Sequence, residues 1–334
     1  MLNCGILRFA MTNYSQQEEH GDLDVPGGVE AHDMNKGPEY GVILPTTVVG
    51  SYPVTPGHGL QSLFDPMRAA VKTAVDDQVT AGIDIISDGQ VRGDMIQAFT
   101  GVVPGIKGQE VTGKVQASAS PITVGDVRFA RSRKSQVKGI ITGPSTLAHG
   151  LHISTPMYRD RDELAMDIAS AFIGEAKALE SLGVTILQLD EPILSTGTAD
   201  LDVGRKAIEL ITSSVRIPSC MHVCGNLSGV IDEVIKFPVN ILDFEFSNNR
   251  KNLELFNARD LGGRMIGYGC VDSTTNTIEP VDEIRKRIDE GIEVFGAEAL
   301  LIDPDCGMRM RTREAAFTKL SHMVQATREI RESL

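Results

Sequence analysis

The residues His222 and Cys224 stand two positions apart at the end of an apolar run, in the sequence Cys220-Met-His-Val-Cys-Gly-Asn226. On a β-strand this spacing points both side chains to the same face. A neutral imidazole and a thiolate are preferred zinc ligands, and Cys306, in Asp-Pro-Asp-Cys-Gly, offers a third ligand of this kind. The sequence therefore predicts a zinc site, for which Glu245, at the end of Leu-Asp-Phe-Glu, is the candidate oxygen ligand.

The choice of ligands restricts the chemistry of such a site. A structural zinc keeps four permanent ligands, whereas a catalytic zinc keeps or exchanges a position for substrate, and Glu245 is the natural exchangeable ligand. Two thiolates and a carboxylate outweigh the metal's double charge, so the site would polarise a carbonyl poorly. A thiol in place of Glu245 would be deprotonated at neutral pH and still attack an alkyl carbon. The ligands therefore favour thiol alkylation over hydrolysis.

The composition restricts partners and compartment. A formal net charge of -13 disfavours nucleic acid or an anionic membrane as a partner, because either would be repelled. No apolar run approaches the length of a membrane span, and the N-terminus lacks a signal-peptide pattern. Five cysteines in 334 residues do not indicate a disulfide framework. We expect a cytoplasmic protein whose cysteines are thiols or metal ligands.

Apolar strand patterns alternate with helical patterns from Val42 to the C-terminus. The predicted strands are residues 46–51, 83–87, 138–142, 184–189, 217–222, 240–246, 264–270 and 298–303. Eight strand-helix units of this kind predict an α/β fold with a closed (β/α)8 TIM barrel, and a doubly wound sheet is the alternative. Residues 101–136 break the rhythm and predict an inserted β-hairpin after the second strand, in place of a crossover helix. We divide the chain into a flexible N-terminal arm, residues 1–40, and a single catalytic barrel, residues 41–334.

Polar residues follow the predicted strands at the ends where the active sites of such barrels lie. They come from widely separated parts of the chain and are expected to converge on one mouth: Ser51, Asp88, Gln90, Thr142, Asp190, Glu191, His222, Cys224, Glu245, Asp272, Asp305 and Cys306.

Seven motifs in this order resemble the C-terminal catalytic barrel of the cobalamin-independent methionine synthases, from about Pro45 to Ile330. The motifs are Thr47-Val-Val-Gly-Ser-Tyr-Pro53, Ser87-Asp-Gly-Gln-Val-Arg-Gly-Asp-Met95, Lys138-Gly-Ile-Ile-Thr-Gly-Pro144, Gln188-Leu-Asp-Glu-Pro192, Met221-His-Val-Cys224, Phe244-Glu-Phe-Ser247 and Asp303-Pro-Asp-Cys-Gly-Met308. The resemblance implies zinc as the cofactor and homocysteine as the substrate, whose thiolate replaces the glutamate ligand during turnover. The implied zinc ligands are His222, Cys224, Glu245 and Cys306.

The resemblance also implies a place for the amino-acid end of homocysteine. Asp190 would pair with the ammonium, and Ser51 with its neighbouring backbone amides would receive the carboxylate. Gln90 is a third candidate for substrate binding, and it stands where the family has Glu. Asp190 and Asp272 are the candidate catalytic residues.

Three departures concern the methyl donor. Thr274 replaces the family's His after the seventh strand, the chain has no Trp to stack on folate, and the long N-terminal half of the full-length enzymes is missing. The stretch His222-Val-Cys-Gly-Asn226 also resembles the zinc motif of corrinoid-dependent coenzyme M methyltransferases. We therefore expect a methylcorrinoid donor, most simply a corrinoid protein or methylcobalamin. The alternatives are a folate-dependent methionine synthase, a methyltransferase acting on another thiol, and a zinc-stabilised accessory or binding subunit without turnover.

Overall fold

The computed structural model describes residues 40–55, 65–257 and 259–334, all of them within one compact unit that spans residues 32–334. The strands in these residues are β1 (Ile106–Lys107), β2 (Glu110–Val111), β3 (Lys138–Thr142), β4 (His152–Ile153), β5 (Ile186–Asp190), β6 (Ser219–Val223), β7 (Ile241–Glu245), β8 (Met265–Val271) and β9 (Leu300–Pro304). The α-helices are α1 (Arg68–Ala81), α2 (Gln97–Thr100), α3 (Val124–Arg133), α4 (Pro144–Gly150), α5 (Arg161–Leu182), α6 (Leu201–Thr212), α7 (Ile231–Val234), α8 (Lys251–Glu254), α9 (Val281–Phe295) and α10 (Arg313–Arg331).

The main sheet is parallel, and its strands are neighbours in the order β3-β5-β6-β7-β8-β9. Its two edges are joined through two short extended segments. The backbone N–H of Thr47 donates to the carbonyl of Ile302 in β9 at 2.8 Å, Thr47 pairs with Ile85, and Lys138 of β3 donates to the carbonyl of Ile86 at 2.9 Å. The two segments take the places of the first two predicted strands as isolated bridges, and the eight positions form a continuous ring. The (β/α)8 barrel predicted from the sequence is confirmed.

The crossover helices form where the sequence supplies an apolar face and residues that cap the two ends of the helix. In α5 the Asp160 carboxylate accepts from the backbone N–H of Glu163 at the start, and Gly183 ends the helix with φ 80°. The strands are buried along their whole length, because side chains on one face pack against the helices and those on the other fill the barrel. This double burial explains their nearly continuous apolar sequence.

The inserted segment differs in part from its prediction. Strands β1 and β2 form a short antiparallel hairpin, with Ile106 opposite Val111, and β4 pairs in parallel with β2. Helix α3, however, occupies the part that was expected to lack a helix, so that expectation is wrong there. Val127 and Ala130, three residues apart, are buried on one side of α3, which packs against α1 and α5 as a crossover helix does.

Other helices are shorter than predicted. Of the helices predicted over residues 226–236 and 250–258, the described residues form only α7 and α8. Within the described ranges no helix is long and apolar enough to cross a membrane, and the cytoplasmic location stays a prediction. The predicted flexible arm lies outside the described residues, apart from Tyr40, which packs against the apolar floor of the barrel.

Candidate metal centre and substrate cavity

The side chains inside the barrel change character along the strands, from the floor to the mouth. The floor is an apolar cluster of Ile85, Ile186, Cys220, Ile241, Met265 and Leu301. Two residues farther along four of these strands stand the buried polar residues Gln188, His222, Asp243 and Asp303. Two residues farther again stand Asp190, Cys224, Glu245 and Asp305, the last of them followed by Cys306. The period of two in a strand thus collects the polar groups at the mouth.

Three of the four predicted zinc ligands lie together. One ligand atom from each of His222, Cys224 and Cys306 lies within 4.8 Å of the others, and the two sulfur atoms are 4.0 Å apart. Both ring nitrogens of His222 are buried without an aligned hydrogen-bond partner among the described residues. An orphaned imidazole beside two free thiols is the donor set that a soft, tetrahedral metal such as zinc completes. The residues therefore fit a zinc ion.

The electrostatics of this cluster favour a thiolate even without a metal. Contact with the Cys224 thiol, assisted by His222, holds the pKa of Cys306 well below its usual range, although burial acts in the opposite direction. A thiolate is the form of cysteine that binds metal.

The fourth predicted ligand, Glu245, lies apart from the other three. Its carboxylate accepts a hydrogen bond from the side-chain amide of Asn249, and the backbone N–H of Gly225 lies beside it. Burial raises the pKa of Glu245, and the Gly225 N–H opposes that shift. The structure therefore assembles a three-residue cluster, and the role of Glu245 as a ligand stays a prediction.

Two buried side chains fix the loops that carry the predicted ligands. Asn252 donates to the carbonyls of Gly225 and Glu245, both at 2.9 Å, and accepts from the backbone N–H of Leu227 at 3.1 Å. Asp305 accepts from three successive backbone N–H groups, those of residues 246–248, at 2.7 to 3.0 Å. The loop after β7 is thus bonded both to the Cys224 loop and to the segment that carries Cys306.

A layer of polar residues supports the cluster from below. The Nδ1 atom of His222 is 3.2 Å from the Asp243 carboxylate, and both side chains are buried. Asp303 lies beside Asp243, and burial together with the charge of Asp243 raises the pKa of Asp303 well above its usual value. Of these two aspartates, Asp303 is therefore the neutral acid. The ammonium of Lys138, fully buried, donates to the side-chain oxygen of Gln188. A carboxylate behind a histidine ligand is a common device for fixing the orientation of the ring.

The cluster opens onto a cavity of about 380 Å³ that other predicted site residues line. Ser51, Gln90 and Asp190 all face it together with His222 and both cysteines, whereas Met95, Ala98, Arg309 and Met310 form part of its outer wall. The cavity therefore unites the predicted metal, substrate and catalytic residues, except Glu245 and Asp272, which do not line it.

Asp190 is held in place for a contact inside this cavity. The side-chain N–H of Gln188 donates to its Oδ1 atom at 2.7 Å, and a second N–H of Gln188 donates to the carbonyl of Val49 at 2.6 Å. Burial raises the pKa of Asp190 to about 6, although nearby His222 acts to lower it. A buried carboxylate with one partner can still accept an ammonium.

Gln90 and Ser51 each lie close to a glycine, and the backbone of Gln90 is unusual. Gln90 has φ 43°, in the left-handed region that side chains other than glycine rarely adopt. Its amide covers Gly50, where a Cβ atom would lie 2.5 Å from the Gln90 oxygen, and a Cβ on Gly307 would lie 2.0 Å from the Ser51 hydroxyl. Both glycines let a side chain that is predicted to bind substrate approach the backbone closely.

Asp272 lies at the end of β8 and binds its own loop. Its carboxylate accepts from the backbone N–H and the hydroxyl of Thr274, at 2.6 and 2.7 Å. Burial opposes a low pKa at Asp272, but these hydrogen bonds prevail and lower it. Its catalytic role stays a prediction, which an Asp272→Asn variant tests.

The sequence analysis missed the residues that support the site. Asp243 and Asn249 contact predicted ligands, Asn252 bonds the loops that carry them, and Gln188 bonds Asp190, but none of the four was a candidate. A signal existed for Asp243 and Gln188, because polar residues in apolar strands, two positions before a mouth residue, point inward. No such signal existed for the two asparagines, which lie in a loop and in the short helix α8.

Comparisons with known proteins agree with this architecture. The family model described as "Cobalamin-independent synthase, Catalytic domain" matches residues 44–329. A methionine synthase of Methanocaldococcus jannaschii is 44% identical over 310 residues, which cover 86% of this chain and 99% of that protein. A methionine synthase of Methanothermobacter marburgensis is 41% identical over 308 residues, with 85% and 99% covered.

The solved structures agree in fold. A B12-independent methionine synthase from Shewanella sp. W3-18-1, in complex with selenomethionine, aligns with a TM-score of 0.78 at 23% identity, over 87% of this chain and 99% of that one. A methyltransferase from Methanosarcina mazei aligns with a TM-score of 0.64 at 16% identity, over 89% and 96%. With the family match over most of its length, the chain belongs to the cobalamin-independent methionine synthases, through their catalytic domain, and is an enzyme, a methyltransferase.

Proposed function

We propose that this enzyme methylates the thiol of homocysteine to give methionine, with zinc as its metal. The observation that carries the proposal is the position of the His222, Cys224 and Cys306 cluster at the inner end of a cavity that Ser51 and Asp190 also line. A thiol and an amino-acid group could therefore be held by one small molecule that spans the cavity. The names of the archaeal relatives point to the same reaction.

The residues of the chain would bind and orient the substrate. Asp190 pairs with its ammonium, and Ser51 with adjacent backbone amides receives its carboxylate. Gln90 adds a neutral amide contact where a carboxylate would otherwise bring a second negative charge. His222, Cys224 and Cys306 would hold zinc, with Glu245 as the exchangeable fourth ligand.

Zinc, when bound, would supply a lowered thiol pKa, so that homocysteine reacts as a thiolate at neutral pH. The transfer forms one sulfur–carbon bond and breaks the bond between the methyl group and its donor, whose electron pair stays with the donor. A corrinoid keeps that pair on cobalt and needs no proton. A folate nitrogen must be protonated as it leaves, which calls for an acid in the site.

The second part of the proposal is a methylated corrinoid, most simply protein-bound, as the donor. The family name describes cobalamin-independent enzymes, whose donor is a methylated folate, so the corrinoid rests on this chain's own residues. Thr274 stands where the family has a histidine acid, and the chain has no Trp. The outer wall of the cavity carries Met95 and Met310, and Met310 is 80% exposed. Exposed methionines at this position suit contact with the broad apolar face of a corrinoid.

One assay separates the two donors. The purified zinc-loaded enzyme is given homocysteine with either methylcobalamin or methyltetrahydrofolate, and methionine is measured. We expect methionine from methylcobalamin. Turnover with methyltetrahydrofolate alone would refute the corrinoid donor and leave homocysteine methylation standing.

A second test addresses an accessory subunit with a structural zinc. A catalytic zinc should be removed by a chelator while the barrel stays folded, and the spectrum of a cobalt-substituted protein should change when homocysteine is added. We expect Cys306→Ser to abolish methyl transfer with little change in the thermal midpoint. Wild-type activity in that variant would contradict the ligand assignment.

A further inference from the structure

Two donor groups outside the metal cluster lie beside the Glu245 carboxylate. Asn249 donates a hydrogen bond from its side-chain amide, and the backbone N–H of Gly225 acts to lower the pKa of the carboxylate. Glu245 is only 8% exposed, so water reaches its carboxylate poorly. The two donors therefore replace much of the hydration that a free carboxylate would have.

Donor groups beside a carboxylate matter when that carboxylate is a ligand that must leave a metal. A buried carboxylate without hydrogen-bond partners is strongly disfavoured, and that cost would oppose exchange with a substrate thiol. Donors already in position lower the free energy of the carboxylate when it is away from the metal. They also compete with the metal for the same carboxylate.

The donors stand on fixed backbone. Asn249 follows Glu245 by four residues, in the loop whose N–H groups at 246–248 are bonded to Asp305. Gly225 is bonded through its carbonyl to Asn252, which also binds the carbonyl of Glu245. Neither donor has to move for the carboxylate to reach it, because all three groups are bonded into one unit.

We propose that Asn249, with the Gly225 N–H, receives the Glu245 carboxylate whenever that carboxylate is not a metal ligand. Asn249 is then a positioning residue that sets the balance between affinity for zinc and affinity for the substrate thiol. The inference rests on the proposed function, in which Glu245 is the exchangeable ligand.

The test measures two affinities in one set of variants. Asn249→Ala removes the side-chain donor, Asn249→Asp removes it with little change in shape, and Asn257→Ala serves as a control at an exposed asparagine in the same region. Zinc affinity is measured by competition with a chelator, and homocysteine affinity of the zinc-loaded protein by calorimetry.

We expect effects of opposite sign at Asn249. When the Asn249 amide no longer competes for it, the Glu245 carboxylate should bind the metal more strongly. Zinc should therefore bind about fivefold to tenfold more tightly in both variants. A tenfold change corresponds to about 1.4 kcal/mol, which is the size of one hydrogen bond to a charged group. Homocysteine should bind more weakly by a similar factor. A merely structural role would weaken both affinities. Asn257→Ala should change neither.

A double variant ties the effect to the carboxylate. In a Glu245→Ala background, adding Asn249→Ala should change neither affinity further. The inference is overturned if Asn249→Ala and Asn249→Asp weaken both affinities, leave zinc affinity unchanged, or act equally without Glu245. If the wild-type protein binds no homocysteine, the proposed function fails, whereas the zinc measurement still decides the role of Asn249.

Discussion

We predict that Asp190 makes the affinity for the amino-acid substrate depend on pH. The side chain is 5% exposed, and burial raises its pKa from 3.8 to about 6. Only the carboxylate can pair with an ammonium, and protonation removes that charge. The sign follows from the charge: affinity should be nearly full at pH 7 and above, and it should fall as the pH drops through 6.

The size of the effect follows from the single pKa. With a pKa near 6, Asp190 is about nine-tenths ionised at pH 7 and about one-tenth ionised at pH 5, so the dissociation constant should rise about tenfold. Asp190→Asn should weaken binding at pH 7 by about a hundredfold or more, because it leaves a buried ammonium without its counter-charge. Its affinity should then be nearly independent of pH.

Calorimetry with methionine as the ligand is the suitable assay, because methionine has no thiol to titrate. Zinc content is measured at each pH, since acid also releases metal. Asp88→Asn is the matched control: burial raises the pKa of Asp88 to about 6 as well, but Asp88 is not among the residues that line the cavity. A wild-type affinity that is flat between pH 5 and 7, or a steep pH dependence that persists in Asp190→Asn, would refute the assignment.

Three further changes test the supports of the site. Asp243→Asn should weaken zinc binding about 10-fold to 100-fold, because the ring of His222 loses its carboxylate neighbour, and an unchanged chelator competition would exclude that support. Gly307→Ala should displace the Ser51 hydroxyl and weaken methionine binding about tenfold. If calorimetry gives the wild-type affinity for methionine in this variant, the Ser51 hydroxyl is not needed for methionine binding. Asn252→Ala removes three buried hydrogen bonds and should lower the free energy of unfolding by about 3 kcal/mol in urea, and a midpoint equal to that of the wild type would contradict their importance.

The barrel was predictable from the sequence because the same strand–helix pattern is repeated along the chain. Buried parallel strands are short apolar runs, and eight of them in alternation with helices leave few other arrangements. The first two strands show the limit of this signal, since their patterns are strand-like but the chain there makes only isolated bridges. Helix α3 was not predicted because its apolar face is short, consisting of Val127 and Ala130, and the Gly, Ser and Arg residues around them weaken the helical pattern.

The cluster of His222, Cys224 and Cys306 was predictable because its candidate ligands are rare residue types at the ends of strands. His222, Cys224 and Cys306 converge as expected, and Ser51 and Asp190 line the same cavity. The orientation of Glu245 was not predictable, because it depends on Asn249, a residue in a loop whose path the local sequence does not specify.

In the proposed reaction, the His222, Cys224 and Cys306 cluster is a zinc centre that takes up the substrate thiol. Zinc-edge X-ray absorption of the loaded protein measures the number of sulfur neighbours directly. We predict two sulfur neighbours in the resting protein, from Cys224 and Cys306, and three after homocysteine is added, with the loss of an oxygen neighbour. A sulfur count that homocysteine leaves unchanged would contradict the account.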